Sequence, residues 1–290
     1  MIRVAGVSKQ FVSRRGTHHA LAEVDLTIEE GQLVCLVGPS GCGKSTLLNL
    51  IAGLERPDRG TVTLDDKLID GPGPDRSVMF QDSALFPWLT VRKNVEFGLE
   101  LARWPRAEWD ARVETYLKKV HLWRFRDAYA HELSGGMRQR VALARALAPE
   151  PRVLLMDEPF AALDAQTRDV LHVELQEIWR ATNSATAAPS EAARRSMTVV
   201  FVTHNVREAV RLGDRVIILA TRPGRVKLDV KIDLARPREI EGDVAYYVGR
   251  IMKELRVEVE KVMREEIDDA WQPAPGVVPP GSGGGVGGGI

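Results

Sequence analysis

The feature that most constrains this chain is the segment over residues 38–45, whose letters G-P-S-G-C-G-K-S fit the pattern G-x-x-x-x-G-K-[ST]. An apolar run ends just before it at Val37, and residues 46–51 can open a helix. A strand–loop–helix of this kind turns backbone N–H groups inward at a helix N-terminus, which creates an anion site. Glycines are needed because side chains would keep the backbone away from phosphate oxygens. A chance match in a glycine-rich turn is the alternative, and the strand–loop–helix context disfavours it.

This loop therefore predicts a cradle for the phosphates of a nucleotide. Lys44 would supply a positive charge to the β- and γ-phosphates, and the Ser45 hydroxyl would ligate Mg²⁺. The predicted nucleotide-binding residues of the cradle are Gly38, Pro39, Ser40, Gly41, Cys42, Gly43, Lys44, Ser45 and Thr46.

Short β-branched runs recur along the chain, and several are apolar at almost every position. These runs are residues 32–37, 61–64, 77–80, 153–156, 199–203 and 216–219. Continuous apolar runs of this length are typical of strands buried on both faces of a parallel sheet. Helical patterns over 108–120 and 136–147 lie between them, so the order of elements predicts an α/β fold. The turn-rich region 54–73 predicts an antiparallel β piece beside the main sheet.

Four polar residues follow three of the predicted strands. Asp157 and Glu158 end the run 153–156, at the edge of an open α/β sheet where ligands bind. There Asp157 can hold Mg²⁺ through water, while Glu158 polarises the attacking water. His204 follows 199–203, and Gln81 follows 77–80. Taken alone, each has an ordinary explanation: a helix N-cap for the acids, a satisfied core histidine, and a polar loop residue.

A second segment favours a functional role for those four residues. Residues 133–140 place Ser134, Gly135 and Gly136 at the start of another helix, which predicts a second anion site. One chain with two phosphate-facing helix ends but one lysine-bearing cradle is hard to explain as a monomer. A two-fold dimer explains it, because the Ser134 end of each chain then faces the γ-phosphate held by Lys44 of the other.

Composition excludes several classes of function. Forty basic residues balance forty acidic ones, and no basic stripe with interleaved aromatics occurs, so nucleic-acid binding is not expected. Cys35 and Cys42 form neither a CxxC nor a Cys/His cluster, which argues against structural zinc. No apolar run approaches the roughly 20 residues of a membrane helix. The first residues look like a strand rather than an export signal. The sequence predicts a soluble, reduced, cytoplasmic protein.

Three segments towards the C-terminus differ in composition from the rest of the chain. Residues 181–196 are small and polar, and they predict a loop or partly helical insertion. Residues 244–267 predict an amphipathic helix, and docking on the domain's own surface is favoured over a coiled-coil partner. From Pro273 onward the chain is Pro- and Gly-rich with almost no core-forming side chains, so disorder is expected.

Together these motifs resemble the ATP-binding subunit of ABC transporters over roughly residues 1–270. The phosphate loop, the segment 133–140, the Asp157–Glu158 pair and His204 stand in that family's order. The signature in 133–140 is specific, because other phosphate-loop ATPases lack it. The resemblance implies an α/β P-loop NTPase core (ABC ATPase) with an antiparallel β subdomain and an inserted helical subdomain. It implies ATP hydrolysis, with ATP and Mg²⁺ as ligands.

The resemblance also assigns roles to further residues. Phe11 would stack on adenine, where tyrosine is the commoner aromatic. Gln81 would sense Mg²⁺ and the γ-phosphate and would link the site to the helical subdomain. It therefore joins Ser45 and Asp157 as a metal residue, and Glu158 and His204 as a catalytic one. Residues 162–164, which include Asp164, would cross the dimer interface.

Residues 81–91, 222–225 and 234–238 resemble the nitrate/sulfonate/taurine import branch of the family. This implies import of a small solute through separate membrane permease subunits, with a solute-binding protein acting indirectly. The ATPase would be a homodimer or a paired subunit, peripheral on the inner face of the cell membrane. The predicted domains are a nucleotide-binding domain over 1–220 with a helical subdomain at about 84–132, a C-terminal extension over 221–270, and a disordered tail over 271–290.

Three rival functions are disfavoured by the sequence. A DNA-repair or chromosome-type ABC ATPase needs a long coiled-coil insertion, which the interval between Gln81 and Leu133 lacks. A translation-type ABC protein needs two cassettes, and this chain carries one copy of each motif. A module that no longer hydrolyses ATP would be expected to lose Glu158, Gln81 or His204, and all three are present.

Overall fold

The computed structural model describes residues 1–14, 16–183, 196–238 and 242–270. Most of the predicted insertion over 181–196 and the whole predicted tail over 271–290 lie outside these residues. Within the described ranges, every helix is too short or too polar to cross a bilayer.

The apolar runs form strands with nearly the predicted bounds. In chain order, the strands of the described residues are β1 (Ile2–Ser13), β2 (Gly16–Ile28), β3 (Leu33–Val37), β4 (Arg59–Leu64), β5 (Lys67–Leu68), β6 (Arg76–Met79), β7 (Val153–Asp157), β8 (Thr198–Val202), β9 (Arg215–Leu219) and β10 (Val226–Lys231). The sequence analysis does not predict β2 or β10.

The larger sheet has the strand order β10-β9-β3-β8-β7-β6. Its strands run parallel except β10, which is an antiparallel edge strand. Every residue of β3 and β8 is buried, as expected when helices cover both faces of a parallel sheet. This arrangement confirms the predicted α/β class, and it places the carboxyl ends of β3, β6, β7 and β8 along one edge.

The smaller sheet is antiparallel and has the order β2-β1-β4-β5. The turn-rich region 54–73 contributes β4 and β5, as its composition predicts. One core cluster lies between this sheet and the main one, and it includes Ile2, Val24, Leu47 and Val200, all buried. The antiparallel sheet therefore packs beside the strand that leads into the glycine-rich loop.

Helices separate the strands. In the described part of the chain they are α1 (Lys44–Ala52), α2 (Val91–Leu101), α3 (Trp109–Lys119), α4 (Gly135–Leu147), α5 (Ala165–Asn183), α6 (Val206–Leu212) and α7 (Asp243–Ala270), with short 3-10 turns at Arg106–Glu108, Trp123–Phe125 and Ala130–Glu132. The helices predicted over 108–120 and 136–147 are α3 and α4.

Helices α2 and α4 pack at very close range. A Cβ atom on Gly98 of α2 would lie 2.6 Å from the backbone oxygen of Arg145 in α4, so only glycine permits this approach. Val113 and Leu117 of helix α3 are buried in the same core. The segment between β6 and α4 is thus a helical layer that packs on α4 rather than extending the sheet.

The predicted amphipathic helix is α7, and it packs on the chain's own domain. Val244, Ile251 and Leu255 are buried in the core that includes α6 and β9. The Glu258 carboxylate accepts a hydrogen bond of 3.0 Å from the Thr221 backbone N–H. It also lies 3.0 Å from the Lys227 ammonium. These contacts fix the helix against the edge of the main sheet.

Candidate nucleotide and catalytic site

The glycine-rich loop joins β3 to α1 by a backbone path that side chains would obstruct. A Cβ on Gly38 would lie 2.6 Å from Cys42 Sγ and 2.9 Å from the Leu219 carbonyl oxygen. Gly43 has a φ of 92° and packs on β2. The predicted cradle residues Pro39, Ser40, Gly41 and Cys42 complete the loop, and Thr46 lies in the first turn of α1. The result is a concave loop that ends at a helix N-terminus, where backbone N–H groups favour an anion.

Lys44 lies inside this loop. Its side chain is buried, and its ammonium group donates hydrogen bonds to the carbonyl oxygens of Gly38 at 2.8 Å and Pro39 at 2.9 Å. Neutral carbonyls leave the positive charge uncompensated. A phosphate oxygen that enters the loop can therefore form a charge-assisted hydrogen bond with this ammonium.

Two oxygen-bearing side chains meet beside the loop. Ser45 lies in the first turn of α1, and Asp157 ends β7 near enough for the Ser45 hydroxyl to influence the pKa of its carboxyl group. Burial raises the pKa of Asp157 and the charge of Glu158 adds to the rise, while the Ser45 hydroxyl and the Lys44 charge oppose it. Hard divalent cations prefer ligands of this kind, so the pair is chemically suited to hold one next to the phosphates.

Glu158 and His204 lie together at the next position along the sheet edge. The Nδ1 atom of His204 is 3.1 Å from Oε2 of Glu158. The Glu158 backbone N–H donates a 3.0 Å hydrogen bond to the Val202 carbonyl, which fixes the loop after β7 against the end of β8. His204 is 67% exposed and Glu158 is 23% exposed. Both side chains are thus open to a ligand on the loop side.

Gln81 follows β6 and is fastened to α4 through its backbone. The Gln139 side-chain amide donates a 2.6 Å hydrogen bond to the Gln81 carbonyl oxygen. Further along α4, the Arg145 guanidinium donates to the carbonyl oxygens of Ser83 at 2.9 Å and Ala84 at 2.8 Å. The Gln81 side chain is exposed. The loop that carries it is therefore attached to α4 at three carbonyl groups.

The second predicted anion site lies at the N-terminus of α4. Ser134 is the N-cap, and its hydroxyl accepts a 3.3 Å hydrogen bond from the Met137 N–H. Gly135 and Gly136 form the first turn, and Ser134 and Gly135 are exposed. Asp164 has a local role as well, because its carboxylate accepts a 2.9 Å hydrogen bond from the Thr167 N–H at the start of α5. That hydrogen bond lowers the pKa of Asp164.

Phe11 lies on the β1–β2 hairpin, opposite His18 in the register. Its ring is 38% exposed, and the Lys9 ammonium lies 5.2 Å from the ring centroid. Lys9 pairs with Leu21, and Leu21 packs under Gly43 of the loop. Phe11 is therefore two residues, or about 7 Å, along β1 from the position that pairs with Leu21.

One chain brings together most of the predicted residues, but not all of them. Lys44, Ser45, Asp157, Glu158 and His204 lie on one sheet edge, and Gln81 follows the neighbouring strand. Among the hydrogen bonds and ion pairs of the described residues, none joins the N-terminus of α4 to the glycine-rich loop. The sequence analysis also missed three buried polar groups near the site, Gln139, His172 and Glu208. Their signal was a polar residue on the apolar face of a helix.

Comparison with known proteins agrees with this geometry. A family model described as "ABC transporter" matches residues 21–161. The chain is 44% identical over 249 residues to a nitrate import ATP-binding protein of Synechocystis, which covers 86% of this chain and 89% of that protein. It is 42% identical over 269 residues to a taurine import ATP-binding protein of Burkholderia pseudomallei, with coverage of 89% and 95%.

Solved structures give the same picture. A dimeric, post-hydrolysis ATP-binding cassette bound to ADP and Pi superposes with a TM-score of 0.68 at 33% identity. It covers 81% of this chain and 100% of that chain.

Replacing Lys44 with Met should weaken ATP binding by about 10- to 100-fold, because the cradle loses its charge-assisted hydrogen bonds to phosphate. Titration with a fluorescent ATP analogue measures this. Lys227→Met is a matched control, since Lys227 also has a largely buried side chain but its ammonium contacts the Glu258 carboxylate instead of the loop. Equal ATP affinity in wild-type and Lys44→Met protein would contradict the assignment of the cradle.

Proposed function

The chain belongs to the ABC transporter family as its ATP-binding, ATP-hydrolysing subunit, and we propose that it powers import of a small anionic or sulfonate-bearing solute of the nitrate, sulfonate or taurine type through a separate permease. One observation carries the proposal: the cradle, the paired acids and the exposed histidine share one sheet edge, while the second anion site lies elsewhere on the chain. Such an arrangement makes a complete site when two chains face each other.

ATP would enter with its phosphates in the loop over residues 38–45. The backbone N–H groups and the Lys44 ammonium would hold the β- and γ-phosphate oxygens. The adenine would stack on Phe11, whose ring is accessible beside β2. The hairpin position of Phe11 supports this role, because the adenine of a nucleotide lies several ångströms from its β-phosphate.

We propose Ser45, Asp157 and Gln81 as the residues that hold Mg²⁺. The proximity of the Ser45 hydroxyl to the Asp157 carboxylate supports the fit, since it offers two oxygen ligands next to the cradle. When bound, the ion would neutralise charge on the phosphate oxygens during transfer. The Gln81 side chain is exposed at the neighbouring strand end and is free to turn towards the γ-phosphate.

Hydrolysis requires an attacking water in line with the γ-phosphate. The Glu158 carboxylate would accept a hydrogen bond from this water and polarise it. His204 Nδ1 lies 3.1 Å from Glu158, so its N–H would donate to that carboxylate and orient it towards the water. Gln81 would sense the γ-phosphate from the opposite side. These three side chains supply positioning and electrostatics, which is what phosphoryl transfer demands.

A second ATPase subunit would complete each site. In the proposed dimer, Ser134, Gly135 and Gly136 of one chain present the N-terminus of α4 to the γ-phosphate in the other chain. The loop that carries Asp164 would lie across the interface, and its carboxylate cap on α5 keeps that loop ordered. The exposure of Ser134 and Gly135 supports this role.

The remaining assignments follow from the same proposal. Residues 84–132 would form the helical subdomain that moves against the permease, within a nucleotide-binding domain over 1–220. Residues 221–270 would be a C-terminal extension held by α7. The chain would work at the inner face of the membrane, where ATP is available, and a solute-binding protein would deliver the solute to the permease.

Glu158→Gln should leave ATP binding intact but lower turnover at least about 100-fold, because the amide cannot act as a base. The stalled protein should elute as an ATP-dependent dimer in size-exclusion chromatography. Glu174→Gln is the matched control, since Glu174 is a buried carboxylate on α5 away from the edge. If Glu158→Gln hydrolyses ATP at the wild-type rate, another group is the base.

Shared sites can be tested by mixing two inactive variants. Ser134→Arg should block hydrolysis and spare ATP binding, whereas Lys44→Met should lose binding. A one-to-one mixture should recover about a quarter of wild-type activity at most, because half of the randomly formed dimers carry one intact site of two. No recovery, together with wild-type activity strictly proportional to protein concentration in the nanomolar range, would mean that one chain completes its own site.

The class of solute is tested in vesicles that hold the chain together with its cognate permease. Uptake of radiolabelled taurine or nitrate should require ATP and should stop with Lys44→Met. Inorganic phosphate and glycine are matched control solutes of similar size. ATP-dependent uptake of either control in preference to taurine and nitrate would contradict the proposed solute class.

A further inference from the structure

A buried polar cluster lies directly behind the loop that carries His204. It consists of Thr203, Glu208 and His172, and each of the three side chains is at most 8% exposed. The proposed contacts with ATP use none of them. Polar groups are costly to bury unless they are fully hydrogen-bonded. We therefore asked which part of the backbone this cluster fixes in place.

The cluster fixes the backbone on both sides of His204. The Thr203 hydroxyl donates a hydrogen bond to Oε2 of Glu208. The same hydroxyl oxygen accepts a 3.0 Å hydrogen bond from the N–H of Asn205. Thr203 and Asn205 are the two neighbours of His204 in the chain. The position of the imidazole thus depends on where the Glu208 carboxylate is held.

His172 on α5 holds that carboxylate from the other side. Its Nε2 atom lies 2.5 Å from Oε1 of Glu208. A carboxylate only accepts hydrogen bonds, so Nε2 carries the proton. Among the residues that the structure describes, the Nδ1 atom has no hydrogen-bond partner, and it lies 3.9 Å from the Asp169 carboxylate. The hydrogen bond from Nε2 to Glu208 is therefore the contact that orients this buried imidazole.

The same helix also holds the loop of the paired acids. One turn before His172, the Arg168 guanidinium donates to the carbonyl oxygens of Phe160 at 3.2 Å and Leu163 at 2.7 Å. The Phe160 ring meets the His172 ring edge-on, with centroids 5.6 Å apart. A cavity of about 10 Å³ lies between the loop after β7 and the loop of His204. Helix α5 thus sets the register between Glu158 and His204.

We propose that His172 is a positioning residue for ATP hydrolysis, which acts through Glu208 and Thr203 to hold His204 against Glu158. This inference rests on the proposed function, since it assumes that Glu158 and His204 act on the γ-phosphate. His172 is only 4% exposed, so it would contact neither the nucleotide nor the attacking water. It fixes the 3.1 Å contact between the imidazole and the catalytic carboxylate. Small errors in such a contact have large effects on rate, because catalysis depends on alignment.

His172→Leu should lower kcat for ATP by about tenfold while KM for ATP stays within about twofold, because the misplacement affects the reacting groups and not the cradle. His172→Gln should restore kcat to within about twofold of wild type, since its amide N–H can still reach the Glu208 carboxylate. Thr203→Val removes the other donor to Glu208 with little change in shape. It should give the same loss in kcat, and it decides the matter if His172→Leu folds poorly.

Gln176→Leu is the matched control. Gln176 lies one turn further along α5, is buried, and donates a 3.0 Å hydrogen bond to the Arg211 carbonyl of α6. The substitution Gln176→Leu thus removes another buried hydrogen bond between α5 and α6, and this bond has no connection to His204. Its kcat should stay near the wild-type value. An equal loss of kcat in Gln176→Leu and His172→Leu would overturn the inference, because the effect would then be general to the helix pair.

A double-mutant cycle with His204→Ala separates this inference from the proposed function. In single-turnover hydrolysis, His172→Leu should cost nothing further once His204 is removed, because it acts through that side chain. A tenfold loss that persists in the His204→Ala background, or a wild-type rate in His172→Leu and Thr203→Val, would overturn the positioning role. A wild-type rate in His204→Ala itself would instead contradict the catalytic assignment in the proposed function.

Discussion

The parallel alignment of four strands is the constraint on which the rest of the site depends. Leu36 of β3 and Asp157 of β7 both pair with Val202 of β8, and Met79 of β6 pairs with Met156 of β7. Because the strands are in register and share a direction, the segments that follow them emerge along one edge. The cradle, the paired acids, the exposed histidine and the glutamine loop are thus neighbours in space, although they are up to about 160 residues apart in sequence.

This edge of the sheet carries two neighbouring carboxylates, Asp157 and Glu158, and the buried Lys44 ammonium. Burial and the neighbouring charge of Glu158 raise the pKa of Asp157, so its ionised form is disfavoured where it lies. The Lys44 ammonium is buried against two neutral carbonyls. A bound nucleotide with its counter-ion would relieve both conditions, since it brings anionic oxygens to Lys44 and positive charge to Asp157. Binding of the nucleotide and its counter-ion would therefore stabilise this edge of the sheet.

Sequence patterns predicted what is local and missed what is formed over long distances. The continuous apolar strands, the glycine-rich loop and the serine N-cap of α4 each carry their signal within about ten residues. Strand β2 (Gly16–Ile28) begins with polar residues, and it forms a strand because β1 pairs with it. Strand β10 is a short edge strand of mixed polarity. His172 and Glu208 are 36 residues apart, and neither residue alone indicates the other. Their pairing follows from the packing of α5 on α6, which no local pattern contains.

The attachment of Gln81 to α4 has a consequence for the two sites of the proposed dimer. In each chain the Gln139 amide ties the Gln81 backbone to the helix whose N-terminus carries Ser134. Gln81 would contact the γ-phosphate in its own chain's cradle, whereas Ser134 would contact the γ-phosphate held by the partner. A displacement of Gln81 on hydrolysis in one site must then shift α4, and with it an anion-binding group of the other site. Since such coupling between sites is reciprocal, closure of either site would favour closure of both.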